Sequence, residues 1–104
     1  MKILVLGGSG FLGSHVCDQL SKAGHKVRIF DLMTSPWLSN DQEMMVGDML
    51  DENTLAKAIS GCEVVYNFAA ISDLDEALSN PIKTTRINVL GNVILLEACR
   101  KANI

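Results

Sequence analysis

The stretch that decides the fold is Lys2–Leu6 (KILVL) running into Gly7-Gly8-Ser9-Gly10-Phe11-Leu12-Gly13. An apolar run rich in Leu and β-branched residues predicts a buried strand. Leu12, Val16, Leu20 and Ala23 follow at helical spacing. A glycine turn therefore joins strand to helix, which is the context a dinucleotide site requires. Glycine permits a sharp turn with positive φ. A missing Cβ lets backbone approach a pyrophosphate. The helix N-terminus adds free N–H groups and a partial positive charge. Two registers fit the glycines: Gly8, Gly10 and Gly13 match G-x-G-x-x-G, and Gly7, Gly10 and Gly13 match G-x-x-G-x-x-G.

Residues 26–30 (KVRIF) read as the second strand, and Asp31 ends it. Asp31 lies about 20 residues past the turn, where an acidic residue accepts hydrogen bonds from the adenosine ribose hydroxyls. The same carboxylate would repel a 2′-phosphate, so NAD is favoured over NADP. Arg28 is the only nearby cation, and strand alternation points it away from the tip.

The 104 residues suit one domain, residues 1–104, and 48% apolar composition is ample for its core. Nine Lys and Arg against twelve Asp and Glu give a net charge of −3 with no basic cluster. That balance gives no support for nucleic acid or an anionic membrane as partner. Cys17, Cys62 and Cys99 fall in no C-x-x-C or zinc-like spacing and read as reduced, buried thiols, with no metal site. The N-terminus could pass for a secretory signal. His15, Asp18 and Gln19 follow at once, however, and no A-x-A-like cleavage site appears. No stretch approaches the roughly 20 apolar residues of a membrane span. A cytoplasmic location is the resulting expectation.

Further along, residues 33–40 read as a loop or short helix, 43–46 (EMMV) as a third strand and 51–60 as a helix. Residues 63–68 (EVVYNF) read as a fourth strand, and Pro81 opens a long helix through Ala102. Ile87, Leu90, Ile94, Leu95 and Ala98 are its expected inward stripe. Alternating strands and helices predict an α/β, Rossmann-type three-layer fold with a parallel sheet in the order 3-2-1-4. Residues 7–13, Asp31, Asp48 and residues 67–70 would then meet at the carboxyl ends of the strands.

With these segments in order, the chain resembles the extended short-chain dehydrogenase/reductases, the NAD-dependent epimerase/dehydratase group typified by UDP-glucose 4-epimerases. Residues 2–13 resemble the family's opening, with the Gly7, Gly10, Gly13 register, and Asp31 its ribose aspartate. Gly47-Asp48-Met49 resembles the step after strand three, which implies adenine contacts for Asp48 and Met49. Asn67-Phe68-Ala69-Ala70 resembles the motif that runs under the cofactor. Asn80-Pro81 and residues 88–92 (NVLGN) followed by Leu95-Leu96-Glu97-Ala98 resemble the next helix. The resemblance implies NAD as cofactor, held by Gly7, Gly10, Phe11, Leu12, Gly13, Asp31, Asp48, Met49, Phe68, Ala69, Ala70 and Asn88. In the full-length protein it implies a sugar nucleotide as substrate. Three positions depart from the family: Asn67 replaces the usual His, Asn92 stands where Thr is common, and Ile87 stands where members often place a polar group.

The family's chemistry uses a Ser or Thr after the fifth strand and a Tyr-x-x-x-Lys pair. The one tyrosine here, Tyr66, lies in a predicted strand with Ala70 four residues on, so no catalytic residue is assigned. The resemblance implies a fold truncated before its fifth strand, an N-terminal piece or shortened gene product that is inactive alone. The rival readings are a non-catalytic nucleotide-sensing or protein-interaction module, and an NADP-dependent reductase. Continuation of the reading frame with Tyr-x-x-x-Lys separates enzyme from module. Residues 63–68 would form a sheet edge, so a homodimer or edge-paired self-association is expected. Asp73, Asp75 and Glu76 read as a solvated loop and His15 and His25 as surface residues. Trp37 reads as an adenine shield or sheet cover, and Met33, Met44, Met45 and Met49 as core or pocket-edge packing.

Overall fold

The computed structural model describes residues 1–104. The chain runs β1 (Lys2–Leu6), α1 (Phe11–Lys22), β2 (Lys26–Asp31), β3 (Gln42–Val46), α2 (Glu52–Ile59), β4 (Val64–Asn67), α3 (Leu74–Ser79) and α4 (Pro81–Thr85). A π-helical turn at Arg86–Leu90 then leads into α5 (Gly91–Lys101). The four strands are parallel in the order β3-β2-β1-β4. Leu6 lies level with Phe30 on one side and Asn67 on the other, and Asp31 lies level with Val46. All four strands therefore end along one rim.

Side-chain alternation along the strands builds two cores. Ile3, Val5, Val27 and Ile29 face α1 and pack with Cys17. Leu4, Leu6 and Phe30 face the other way and pack with Leu55, Ala58, Ile59 and Leu95 of α2 and α5. Burial of each such aliphatic side chain contributes roughly 1.5–3 kcal/mol. Burial also pushes the Cys17 thiol up to about 11, and Cys62 and Cys99 are raised for the same reason. No three His, Cys, Asp or Glu side chains converge as a metal cage. No helix is long and apolar enough to cross a membrane.

Arg28 does point away from the rim. Its guanidinium donates to the carbonyls of Ala58 (2.6 Å) and Ser60 (3.0 Å) at the C-terminus of α2, and to Glu43 Oε2 on β3 (2.8 Å). A cation there complements the helix dipole. Arg28, then Lys2, hold the Glu43 carboxyl below its usual range.

Three expectations are corrected. Residues 33–40 form the loop alternative, and within it Met33, expected to pack in the core or at a pocket edge, is exposed, as is Trp37. The acidic run after Ser72 is not a loop: Asp73 caps α3, its carboxylate accepting from the Asp75 amide at 2.9 Å. The final helix runs unbroken from Pro81 to Lys101, but it passes through a π turn in which the Gly91 amide reaches back five residues to the Arg86 carbonyl. That extra residue rotates the register, and Leu90 is exposed rather than inward. β4 carries apolar side chains on both faces, Val64 packing on the α1 side and Val65 on the α2 and α5 side, with Tyr66 exposed.

Candidate functional site

A crevice of about 340 Å³ opens on the rim, over the carboxyl ends of the strands. Gly7 and Gly10 form one wall, Asp31 and Leu32 a second, and Asp48 and Met49 a third; Phe68, Ala69, Ala70 and Ile71 run along the floor. Eight of the sequence-predicted residues thus meet in one hollow. The other four, Phe11, Leu12, Gly13 and Asn88, do not line it.

The turn itself distinguishes its glycines by what their missing side chains would touch. Gly7 sits at φ +74°, and a Cβ there would lie 2.6 Å from the Phe68 and Ala69 backbone. Gly8 faces the opposite side, where a Cβ would meet Ile29 at 2.7 Å. A Cβ on Gly13 would strike the Gly7 carbonyl. Packing therefore forbids side chains at all three positions. Gly10 differs. Its φ of −80° and ψ of 179° suit any residue, and a Cβ would rest 3.4 Å from its closest neighbour, the Gly7 oxygen. The protein has room for a side chain at Gly10; only the crevice loses by one. Of the turn glycines, Gly7 and Gly10 line the hollow and Gly8 and Gly13 do not.

Gly10 is also the N-cap of α1, and no side chain caps that helix. The first intrahelical bond runs from the Ser14 amide to the Gly10 carbonyl at 2.9 Å. The amides of Phe11, Leu12 and Gly13 precede it and have no acceptor within the helix. At the start of α2, by contrast, Asp51 caps the helix, accepting from the amides of Asn53 (3.1 Å) and Thr54 (3.2 Å). Opposite the turn, Asp31 Oδ2 accepts from the Ser9 amide (3.0 Å) and Oδ1 from the Leu32 amide (2.7 Å). The Ser9 hydroxyl donates to the Met33 carbonyl at 2.7 Å, tying the turn to the segment after β2.

Asn88 works from behind the floor. Its Oδ1 accepts from the Ile71 amide (2.8 Å) and its Nδ2 donates to the Ile71 carbonyl (2.9 Å), so it fixes the floor segment without lining the crevice. The two departures Asn67 and Asn92 answer each other. Asn67 Nδ2 donates to Asn92 Oδ1 at 2.7 Å, Asn67 Oδ1 accepts from the Ala69 amide at 3.0 Å, and Asn92 Nδ2 donates to the Asn88 carbonyl at 2.7 Å. Sequence reading missed this link because its partners lie 25 residues apart. It also missed Lys83 and read Glu76 as part of a solvated loop; both line the crevice, from α4 and α3.

Fold and crevice together define a Rossmann-type domain of the short-chain dehydrogenase/reductase kind. The model of the NAD dependent epimerase/dehydratase family matches residues 3–104, and the chain belongs to that family. It is 33% identical to the UDP-glucose 4-epimerase of Yersinia pestis, over 100% of this chain and 34% of that protein. Its fold superposes at a TM-score of 0.93 on the Thermus thermophilus UDP-glucose 4-epimerase complex with NAD, 28% identical, covering 100% of this chain and 35% of that one. The Thermotoga maritima UDP-glucose 4-epimerase with UDP-glucose also gives 0.93, at 30% identity and the same coverage. The chain spans about a third of the length of these relatives.

Proposed function

We propose that this chain holds NAD in the rim crevice, as the cofactor-binding part of an NAD-dependent sugar-nucleotide epimerase or dehydratase. The observation that carries the reading is Gly10, a glycine that the fold does not need, at the uncapped N-terminus of α1 and facing Asp31 across the hollow. The amides of Phe11, Leu12 and Gly13 are free to donate to the diphosphate. Each Asp31 oxygen has spent one lone pair on a backbone amide and keeps another for a ribose hydroxyl. A 2′-phosphate brought to that carboxylate would be repelled, which favours NAD over NADP. Asp48 and Met49 bound the adenine end, and Phe68, Ala69 and Ala70 offer a flat floor. Asn88 is a positioning residue, setting that floor through Ile71.

NAD, when bound, supplies the hydride-accepting ring; the chain's own residues grip and orient it. Residues 1–104 contain no Tyr-x-x-x-Lys pair, so acid/base work on a sugar hydroxyl falls to other residues of a full-length enzyme. Calorimetric titration tests the reading. NAD is expected to bind, and NADP at least about tenfold more weakly, a difference of about 1.4 kcal/mol. Asp31→Asn should narrow that gap. No heat of binding for either nucleotide at millimolar concentration would sink the proposal.

A further inference from the structure

We propose that Lys83 is a further ligand-binding residue, whose ammonium leaves Glu76 to take a diphosphate oxyanion in the crevice. The inference rests on the nucleotide-binding reading above. The charged side chains that line the hollow are Asp31, Asp48, Glu76 and Lys83. Three are carboxylates, so Lys83 is the one cation facing a ligand that carries two negative charges.

Its place in the fold adds to the argument. Lys83 and Ile87 are four residues apart, and both line the crevice from the same helical stretch. Ile87 has no polar atom and packs against the core below. The polar head on that wall therefore comes from Lys83, one turn earlier. Lys83 Nζ stands 3.5 Å from Glu76 Oε1, with 63% and 43% of the two side chains exposed. That spacing is longer than a tight charge-assisted hydrogen bond, and an exposed pair of this kind contributes little stability. A flexible four-carbon stem lets the ammonium exchange one oxyanion for another at small cost. Glu76 then acts as a resting place for the ammonium.

The oxyanion belongs either to the cofactor's diphosphate or to that of a sugar nucleotide, and the test separates them. The unaltered chain, Lys83→Gln, Lys83→Arg and Glu76→Gln are titrated with NAD, ADP, adenosine and UDP-glucose. Lys83→Gln should weaken NAD and ADP about tenfold and leave adenosine unchanged, while Lys83→Arg stays within about threefold. Glu76→Gln should tighten NAD by about two- to fivefold, because it frees the ammonium and removes a like charge. A merely structural ion pair would respond alike to losing either partner; opposite signs at 83 and 76 mark an anion site. If the loss falls on UDP-glucose instead of NAD, the oxyanion is the sugar nucleotide's and the inference stands. Unchanged affinities of Lys83→Gln in a chain that binds NAD overturn the role of Lys83 alone. Failure of the unaltered chain to bind NAD overturns the cofactor reading, and this inference with it.

Discussion

A methyl group added at Gly13 would run into the Gly7 carbonyl, whereas one added at Gly10 would rest 3.4 Å from the same oxygen. The two positions should therefore respond oppositely to substitution. Gly13→Ala is expected to lower the melting temperature by several degrees, as overpacking costs of about 1–3 kcal/mol would do. Gly10→Ser should hold or raise it, since serine caps a helix slightly better than glycine, by a few tenths of a kcal/mol. The same serine would occupy the α1 amides, and NAD binding should fall by more than about tenfold. Thermal melts beside calorimetry check both. A Gly10→Ser chain that still binds NAD normally would refute the diphosphate assignment. The spacing of the glycines was readable from the residues alone. Their separate reasons were not, because Gly8 answers to Ile29 and Gly13 to Gly7, contacts that exist only after folding. Asn67 and Asn92 were likewise noticed singly, and their shared hydrogen bond needed the fold.

At the scale of elements, the contrast between α1 and α2 is informative. Asp51 caps α2, and the Thr54 amide, then the Thr54 hydroxyl, hold its carboxyl below the ordinary value of 3.8. The folded form thus prefers the ionised cap. Its contribution is complete above pH 3.8 and is lost as the pH falls through the lower folded value. Asp51→Asn keeps a cap oxygen without the charge. The variant should melt below the parent at neutral pH, with the gap closing in acid. A gap that persists at low pH would show that the charge plays no part. The strands were readable to within a residue or two because each is a short apolar run ended by Gly, Asp or Asn. Helix α3 escaped notice because it is six residues long and buries none of them, too short for Leu74, Ala77 and Leu78 to stand out as a helical period. The π turn escaped as well. Its cause is tertiary: Asn88 must meet Ile71 while Gly91 packs under Met49.

At the scale of the whole molecule, the order β3-β2-β1-β4 leaves β4 with one neighbour. Its outer N–H and C=O groups lack strand partners, and Tyr66 is exposed beside them. Val89, Val93 and Leu96 add exposed apolar surface along the last helical stretch. Self-association is the expected result, seen as a rising sedimentation coefficient with concentration. Tyr66→Lys should weaken it by placing like charges across a paired edge. A single monomeric species of the unaltered chain at high concentration would contradict the expectation. The topology was legible because the right-handed crossover rule leaves few arrangements for alternating strands and helices. The occupancy of the rim by Lys83 was not, since no periodic signal marks a cation that waits on a neighbouring acid. Architecture and cargo are thus separable in this molecule. A descendant that ceased to carry a nucleotide would still need Gly7, Gly8 and Gly13 to fold, but would be released at position 10. A bulky residue there, beside three intact glycines, would be the mark of a lineage that kept the scaffold and retired its passenger.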